Sequence, residues 1–231
     1  MKTFSFVFAR SGSKGLPGKN ILKIKDIPLL AYSIKIAQSI NEIQECFVST
    51  DSDEIAEIAK NYGAKVIRRP TKLCDDKSPE WLSWQHAVDW VRNNISDFDK
   101  FISLPTTAPL RLPEDVKKCL SRLDGSTDIV LTMTESNRSP WFNMVNKDLD
   151  ENLQLIIKSK NNLTRRQDAP ASYDLTTVAF VARPDFIMNN KSIWDGKTKG
   201  VMIPPERAID VDTELDFRVA KLLMADRDIL C

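Results

Sequence analysis

The sequence predicts an α/β fold, a mostly parallel sheet with helices on both faces. Three observations carry that prediction. Short apolar runs alternate with segments of helical period through the first two-thirds of the chain. The runs themselves are short and mostly apolar, which suits a mostly parallel sheet covered on both faces. At 231 residues the chain is long enough for one sizeable core.

Strands are expected at residues 4–8, 45–50, 64–68, 100–104 and 128–134. Between the first two, Pro28 opens a helix in which Leu30, Ile34 and Ala37 recur at helical spacing. A second helix follows Asp51 and Ser52. Its apolar stripe is Ile55, Ile58, Ala59 and Tyr62, and Gly63 stands just past its end. Residues 79–94 and 113–123 supply two more. Right-handed crossovers then set the strand ends, and with them a ligand crevice, along one edge of the sheet.

The pattern breaks after about Asn137. Residues 137–171 are polar and weakly periodic, with a short strand at 153–157, and read as an arm inserted into the domain. The sheet resumes at residues 177–182, and a last helix after Asp212 carries Leu215, Val219 and Leu222. No repeat, low-complexity stretch or linker divides the chain, so residues 1–231 are expected to form one domain.

Bulk composition excludes several functions. The 33 basic and 32 acidic residues nearly cancel, which disfavours wholesale binding to nucleic acid or membrane. No apolar run is long enough to cross a bilayer, and Arg10 interrupts the N-terminal run before it becomes a secretion signal. Cys46, Cys74, Cys119 and Cys231 are scattered without paired spacing, so reduced thiols are expected rather than a disulfide or metal framework. The single histidine, His86, lies in an aromatic-rich helical pattern where packing is its expected role.

The densest chemistry follows the first strand, in Ala9-Arg-Ser-Gly-Ser-Lys-Gly-Leu-Pro-Gly-Lys-Asn20. Glycines leave backbone N–H groups free to point at an anion, and Arg10, Lys14 and Lys19 add fixed positive charge. The loop suits a triphosphate, yet on composition alone a solvated basic loop fits as well. It is not a G-x-x-x-x-G-K-[ST] loop. Near the other end, Asp210 and Asp212 are two apart, so an extended backbone points both carboxylates the same way. They suit Mg²⁺; on the residues alone, Asp212 before Thr213 and Glu214 suits a helix N-cap better.

The Ala9–Asn20 stretch resembles the signature loop of the acylneuraminate cytidylyltransferases, the CMP-sialic acid synthetase family. Four further stretches resemble that family in order: Phe47-Val-Ser-Thr-Asp51, Pro105-Thr-Thr-Ala-Pro-Leu-Arg111, Arg166-Gln-Asp-Ala-Pro170 and Ile209-Asp-Val-Asp-Thr-Glu-Leu-Asp216. The resemblance implies a Rossmann-like nucleotidyltransferase fold whose inserted arm forms a homodimer and completes the partner's site. It implies a cytoplasmic enzyme that joins a nonulosonic or related 3-deoxy-ulosonic acid to CTP, with Mg²⁺ as cofactor and pyrophosphate as leaving group.

Carried over residue by residue, the resemblance places Ala9, Arg10, Ser11, Gly12, Lys14, Lys19, Asn20 and Ser78 at the nucleotide, Ser78 on a loose local match. Asp210 and Asp212 become the metal ligands. Arg10, Lys19 and Asp212 become the catalytic set. Arg166 is matched to the sugar carboxylate, which a guanidinium fork suits. Arg111 reads as a surface residue at a helix start.

The sugar half departs from the family's pattern. Leu104 replaces a glutamine, and the segment after Pro170 reads Tyr173-Asp-Leu-Thr-Thr-Val-Ala179. Asp174 there replaces an arginine, while Thr176 and Thr177 replace an asparagine and a glycine. Leu104, Arg166, Tyr173, Asp174 and Thr176 are therefore the expected sugar-side residues, with altered selectivity. Two other readings remain: a sugar-1-phosphate nucleotidyltransferase, whose G-x-G-[ST]-R-L pattern is absent, and a non-catalytic nucleotide binder.

Overall fold

In the computed structural model, which describes residues 1–12, 15–75, 77–158 and 163–227, the chain order is β1 (Thr3–Phe8), β2 (Lys23–Ile24), β3 (Ile27–Pro28), α1 (Leu29–Gln38), β4 (Glu45–Thr50), α2 (Asp53–Asn61), β5 (Lys65–Arg68), α3 (Glu80–Asn94), β6 (Lys100–Ser103), α4 (Pro113–Arg122), β7 (Ile129–Glu135), β8 (Val145–Lys147), β9 (Leu153–Leu155), β10 (Tyr173–Ala182), α5 (Pro184–Asn189), β11 (Thr198–Met202) and α6 (Glu214–Arg227).

Alternation along the strands builds two layers. Phe4 and Phe6 of β1, Phe47 of β4 and Phe101 of β6 face one side. Val7, Val48 and Ile102 of the same strands face the other. The aromatic side packs against α3 and α5 through Trp81, Trp84, Val88 and Phe186. The aliphatic side packs against α1, α2 and α4 through Leu30, Ile34, Ile55, Ala59 and Val116. Phe6 stacks on Phe101 at 4.6 Å and on Phe47 at 5.4 Å, so the ring layer runs across three adjacent strands.

The sheet has seven strands in the order β11-β7-β10-β6-β1-β4-β5. All its pairings are parallel except those of β10, which is antiparallel to both β6 and β7. Strands β1, β4, β5 and β6 therefore end on one edge, where the loops carrying the expected nucleotide residues emerge. Ser52 caps α2 by accepting the Ile55 N–H, and Gly63 takes the left-handed conformation (φ +82°) just beyond that helix.

The pairing of β10 with β7 slips between Thr176 and Phe180. The Thr132 hydroxyl fills the bulge, lying 3.1 and 3.2 Å from the Thr176 and Ala179 carbonyls and accepting the Ala179 N–H. The bulge carries Thr177 toward the strand-end edge.

Two sequence expectations need correction here. Helix α6 buries Phe217 and Ala220, while Leu215 and Leu222 are mostly exposed, because Leu16, Ile24 and Leu110 meet its other face. Arg111 is not on the surface. It is 2% exposed, and its Nη1 donates to the Ser33 hydroxyl at 2.6 Å. Its Nη2 donates to the carbonyls of Pro105 and Thr177. Desolvation drives its pKa down to about 9. Within residues 137–171, β8 and β9 pair as an isolated hairpin that leaves Val145, Leu149 and Leu153 exposed. Among the described residues no helix is long and apolar enough to cross a membrane.

Candidate active site

At the strand-end edge lies a cleft of about 410 Å³. Its loop-side wall holds Arg10, Gly12, Lys19 and Asn20, and Asp210 and Asp212 close it from the C-terminal segment. These residues come from positions some 190 residues apart in sequence, and three local devices bring them together. Gly18 at φ +66° turns the loop into the single helical turn that carries Lys19 and Asn20. A Cβ on Gly15 would stand 2.5 Å from the Asp212 carbonyl oxygen, so only glycine lets the loop lie against that segment. The Val211 N–H donates to the Thr107 carbonyl at 2.8 Å, tying the aspartate pair to the turn after β6.

Asn20 is a brace between two loops. Its Nδ2 donates to the Arg10 carbonyl at 2.9 Å, and its Oδ1 accepts the Thr106 hydroxyl at 2.6 Å. Arg10 donates from Nη1 to the Cys74 carbonyl at 3.1 Å. The Lys19 ammonium meets Asp212 Oδ1 at 2.6 Å.

Asp210 is the more enclosed carboxylate. Its Oδ1 is buried without a protein partner. Desolvation raises its pKa and the like charge of Asp212 adds to that, while the Thr107 and Thr177 hydroxyls and Lys19 pull the other way. Asp212 is not the N-cap of α6: Thr213 takes that part, its hydroxyl accepting the Asp216 N–H at 3.3 Å while Asp216 Oδ2 accepts the Thr213 N–H at 2.8 Å. Both aspartates thus face the cleft rather than the helix.

Of the other expected residues, Ser78 lines the cleft, with a buried hydroxyl that has no protein partner. Ala9 and Ser11 do not line it. The Ala9 side chain sits in the core and its N–H donates to Ser49. Ser11 donates from its N–H and its hydroxyl to the Asp51 carboxylate, which braces the loop from outside. Lys14 lies outside the described residues.

The sugar-side expectations fare differently. Leu104 is wholly buried in the aliphatic layer, so its side chain offers no surface to a ligand. The Thr176 hydroxyl donates to Thr132 inside the sheet. Arg166 and Tyr173 line a second hollow of about 730 Å³ beside Glu135 and Ser139, and Arg166 Nη2 donates to the Ser136 carbonyl at 2.6 Å. Asp174 is exposed on β10 and lines neither space. Thr177, delivered by the bulge, does line the cleft.

Sequence reasoning missed Arg69 and Glu80, both in the cleft wall. Arg69 follows a parallel strand at its C-terminal end, a position that marks ligand sites in such sheets. It is pinned by donation to the Ser49 hydroxyl and carbonyl at 3.1 and 2.8 Å and lies 5.5 Å over the Phe8 ring. Glu80 faces the cleft from the first turn of α3 and accepts the Trp84 indole N–H at 3.1 Å. Desolvation by the protein around it raises its pKa.

Residues 5–189 match the family described as Cytidylyltransferase. The chain belongs to the cytidylyltransferase family. Among its relatives, the post-translational flagellin modification protein B of Campylobacter coli is 34% identical over 96% of this chain and 95% of its own length. The CMP-N,N'-diacetyllegionaminic acid synthase of Campylobacter jejuni is 33% identical over the same shares. An N-acylneuraminate cytidylyltransferase of Escherichia coli is 28% identical over 95% of this chain but only 51% of its own. The fold matches a solved CMP:2-keto-3-deoxy-manno-octonic acid synthetase complexed with CTP, at a TM-score of 0.70 and 19% identity over 98% of this chain and all of that one.

Proposed function

We infer that this cytidylyltransferase activates a nonulosonic or related 3-deoxy-ulosonic acid with CTP, giving the CMP-sugar and pyrophosphate. The observation that carries the reading is the convergence of Arg10, Lys19, Asp210 and Asp212 on one strand-end cleft from the two ends of the chain. The legionaminic and neuraminic names of the relatives point to sugar acids as the acceptor class.

The sugar's anomeric hydroxyl oxygen attacks the α-phosphorus and gives its proton to water, the bond from that phosphorus to the β-phosphate bridge breaks, and pyrophosphate leaves. Arg10 and Lys19 neutralise charge that builds on the triphosphate and leaving group. Asn20 holds the Arg10 loop against the turn after β6, which keeps the cationic wall in place for the phosphates. Lys19 releases Asp212 as it moves onto phosphate oxygen.

Asp210 and Asp212 fit a divalent cation, because a buried carboxylate oxygen without a partner and a second carboxylate two residues on make a hard-oxygen donor set. Among the described residues no cluster of three or more ligating side chains exists. Mg²⁺ bound there would take its remaining ligands from phosphate and water and would polarise the α-phosphoryl group.

We place the sugar carboxylate with Arg166, contributed by the arm of a second copy. The exposed apolar residues of the β8–β9 hairpin, Val145, Leu149 and Leu153, support such a dimer. Light scattering on Leu149→Asp/Leu153→Asp should report a monomer where the native chain gives a dimer. Cytoplasmic location follows from the use of CTP.

The test is incubation with CTP, Mg²⁺ and a panel of 3-deoxy-ulosonic acids, with products weighed by mass spectrometry. A CMP-sugar from at least one acid is expected. CTP binding without product from any acid would remove the catalytic reading.

A further inference from the structure

We propose that the Glu80 carboxyl accepts a hydrogen bond from the 4-amino group of the pyrimidine and is the residue that selects CTP over UTP. The inference rests on the CTP reading above and deepens it. The cleft wall divides by chemistry. Charge for phosphate and cation is concentrated in Arg10, Lys19, Asp210 and Asp212. A second group of lining residues combines the apolar Phe8, Leu73 and Phe180 with the polar Arg69, Ser78 and Glu80.

That second group suits a nucleobase, which has apolar faces and a polar edge. Three of its members are fixed around one indole: Trp84 lies 6.4 Å from the Phe8 ring and 5.5 Å from the Phe180 ring, and its N–H holds Glu80 Oε1. The edge of cytosine presents one donor, the 4-amino group, beside the acceptors N3 and O2. Glu80 is the carboxylate of this group and meets the donor. Arg69 and Ser78 are the donors that O2 and N3 require, and the Ser78 hydroxyl is buried without a protein partner. Uracil carries an acceptor oxygen at position 4, which would face the carboxylate lone pairs. The discrimination is therefore repulsive against UTP as well as attractive for CTP.

Calorimetric titration with CTP, UTP and the 4-deoxy analogue of CTP, with Mg²⁺ and without sugar acid, tests this on the native chain and Glu80→Gln. The native chain should prefer CTP to both others. Glu80→Gln, whose carboxamide can donate to O4, should narrow the CTP-to-UTP preference by roughly 10- to 100-fold. It should also bind CTP and the 4-deoxy analogue more nearly alike. Equal weakening of CTP and UTP would make Glu80 a mere brace for Trp84 and overturn the proposal. So would a native chain that binds the 4-deoxy analogue as tightly as CTP, an outcome independent of how the variant folds. In either case CTP binding by the native chain leaves the broader reading standing, whereas no CTP binding at all would end both.

Discussion

Lys19 and Asp212 meet at 2.6 Å across 193 residues of sequence. The lysine follows the first strand and the aspartate precedes the last helix. The contact closes the cleft between the two ends of the domain and sets a cation and an anion side by side. In the proposed reaction, phosphate oxygen would compete with Asp212 for the ammonium, and a divalent cation would compete with Lys19 for the carboxylate. On that reading the pair would separate onto nucleotide and cation at once.

Gly15 makes that meeting possible, since a Cβ there would collide with the Asp212 carbonyl oxygen. Gly15→Ala should raise the KM for CTP by about 10-fold through loop displacement. Because the site is exposed, the stability change should stay near or below about 1 kcal/mol. Steady-state kinetics and thermal melting of the same preparation check both halves.

On the proposed reading, Asp210 costs the fold stability while serving the cation. Its folded-state pKa is raised, so above the ordinary carboxyl value of 3.8 ionisation favours the unfolded chain and costs stability at neutral pH. Asp210→Asn should cut turnover roughly 100-fold or more. In chelator-containing buffer it should raise the melting temperature by about 2–4 °C, as expected for on the order of 1 kcal/mol. A fall in both would show that the carboxylate is structural.

Arg111 is the pin between the turn after β6 and the bulge of β10. Removing it takes a donor from the Ser33 hydroxyl and from the Pro105 and Thr177 carbonyls, leaving Ser33 and Pro105 only their bond to each other. Arg111→Ala should cost about 3–5 kcal/mol in urea unfolding. Arg111→Lys should recover only part of this, because one ammonium cannot replace a planar fork at three acceptors.

Much of this was legible in the sequence and some was not. Strands β1, β4, β5, β6 and β7 and helices α1 to α4 follow from apolar runs and caps that act over a few residues, as Ser52 and Gly63 do for α2; the two-residue strands β2 and β3 were not foreseen. The loop-side wall of the cleft was readable because one loop concentrates Arg10, Gly12, Lys19 and Asn20. Tertiary context hid the rest. Arg111 is buried only because β10 bulges over it, and Leu215 and Leu222 lie outside because Phe217 and Ala220 meet the core. Glu80 reads as an ordinary first-turn acid until the Trp84 indole N–H is seen to hold its carboxylate on the cleft wall. Leu104 holds a position matched to a sugar contact, yet its side chain turns into the aliphatic layer.

Asp51 links the loop to acid stability. Burial works against its charge, but the Ser11 hydroxyl and N–H outweigh this and hold its pKa below 3.8. Its contribution is therefore complete above that pH and lost as pH falls through the lowered folded value. Urea unfolding between pH 5 and pH 2.5 should show a shallower acid loss for Asp51→Asn than for the native chain. Parallel curves would contradict the bond's role.

The most direct test of the cleft as the seat of catalysis is pyrophosphate release from CTP and Mg²⁺ with a legionaminate-type acid, comparing the native chain with Asp212→Ala. Release by the native chain, falling by roughly 100-fold or more in the variant while CTP still binds, is the result expected. Equal release by both proteins would contradict the assignment of Asp212, and with it the account of how the two ends of the chain make one active site.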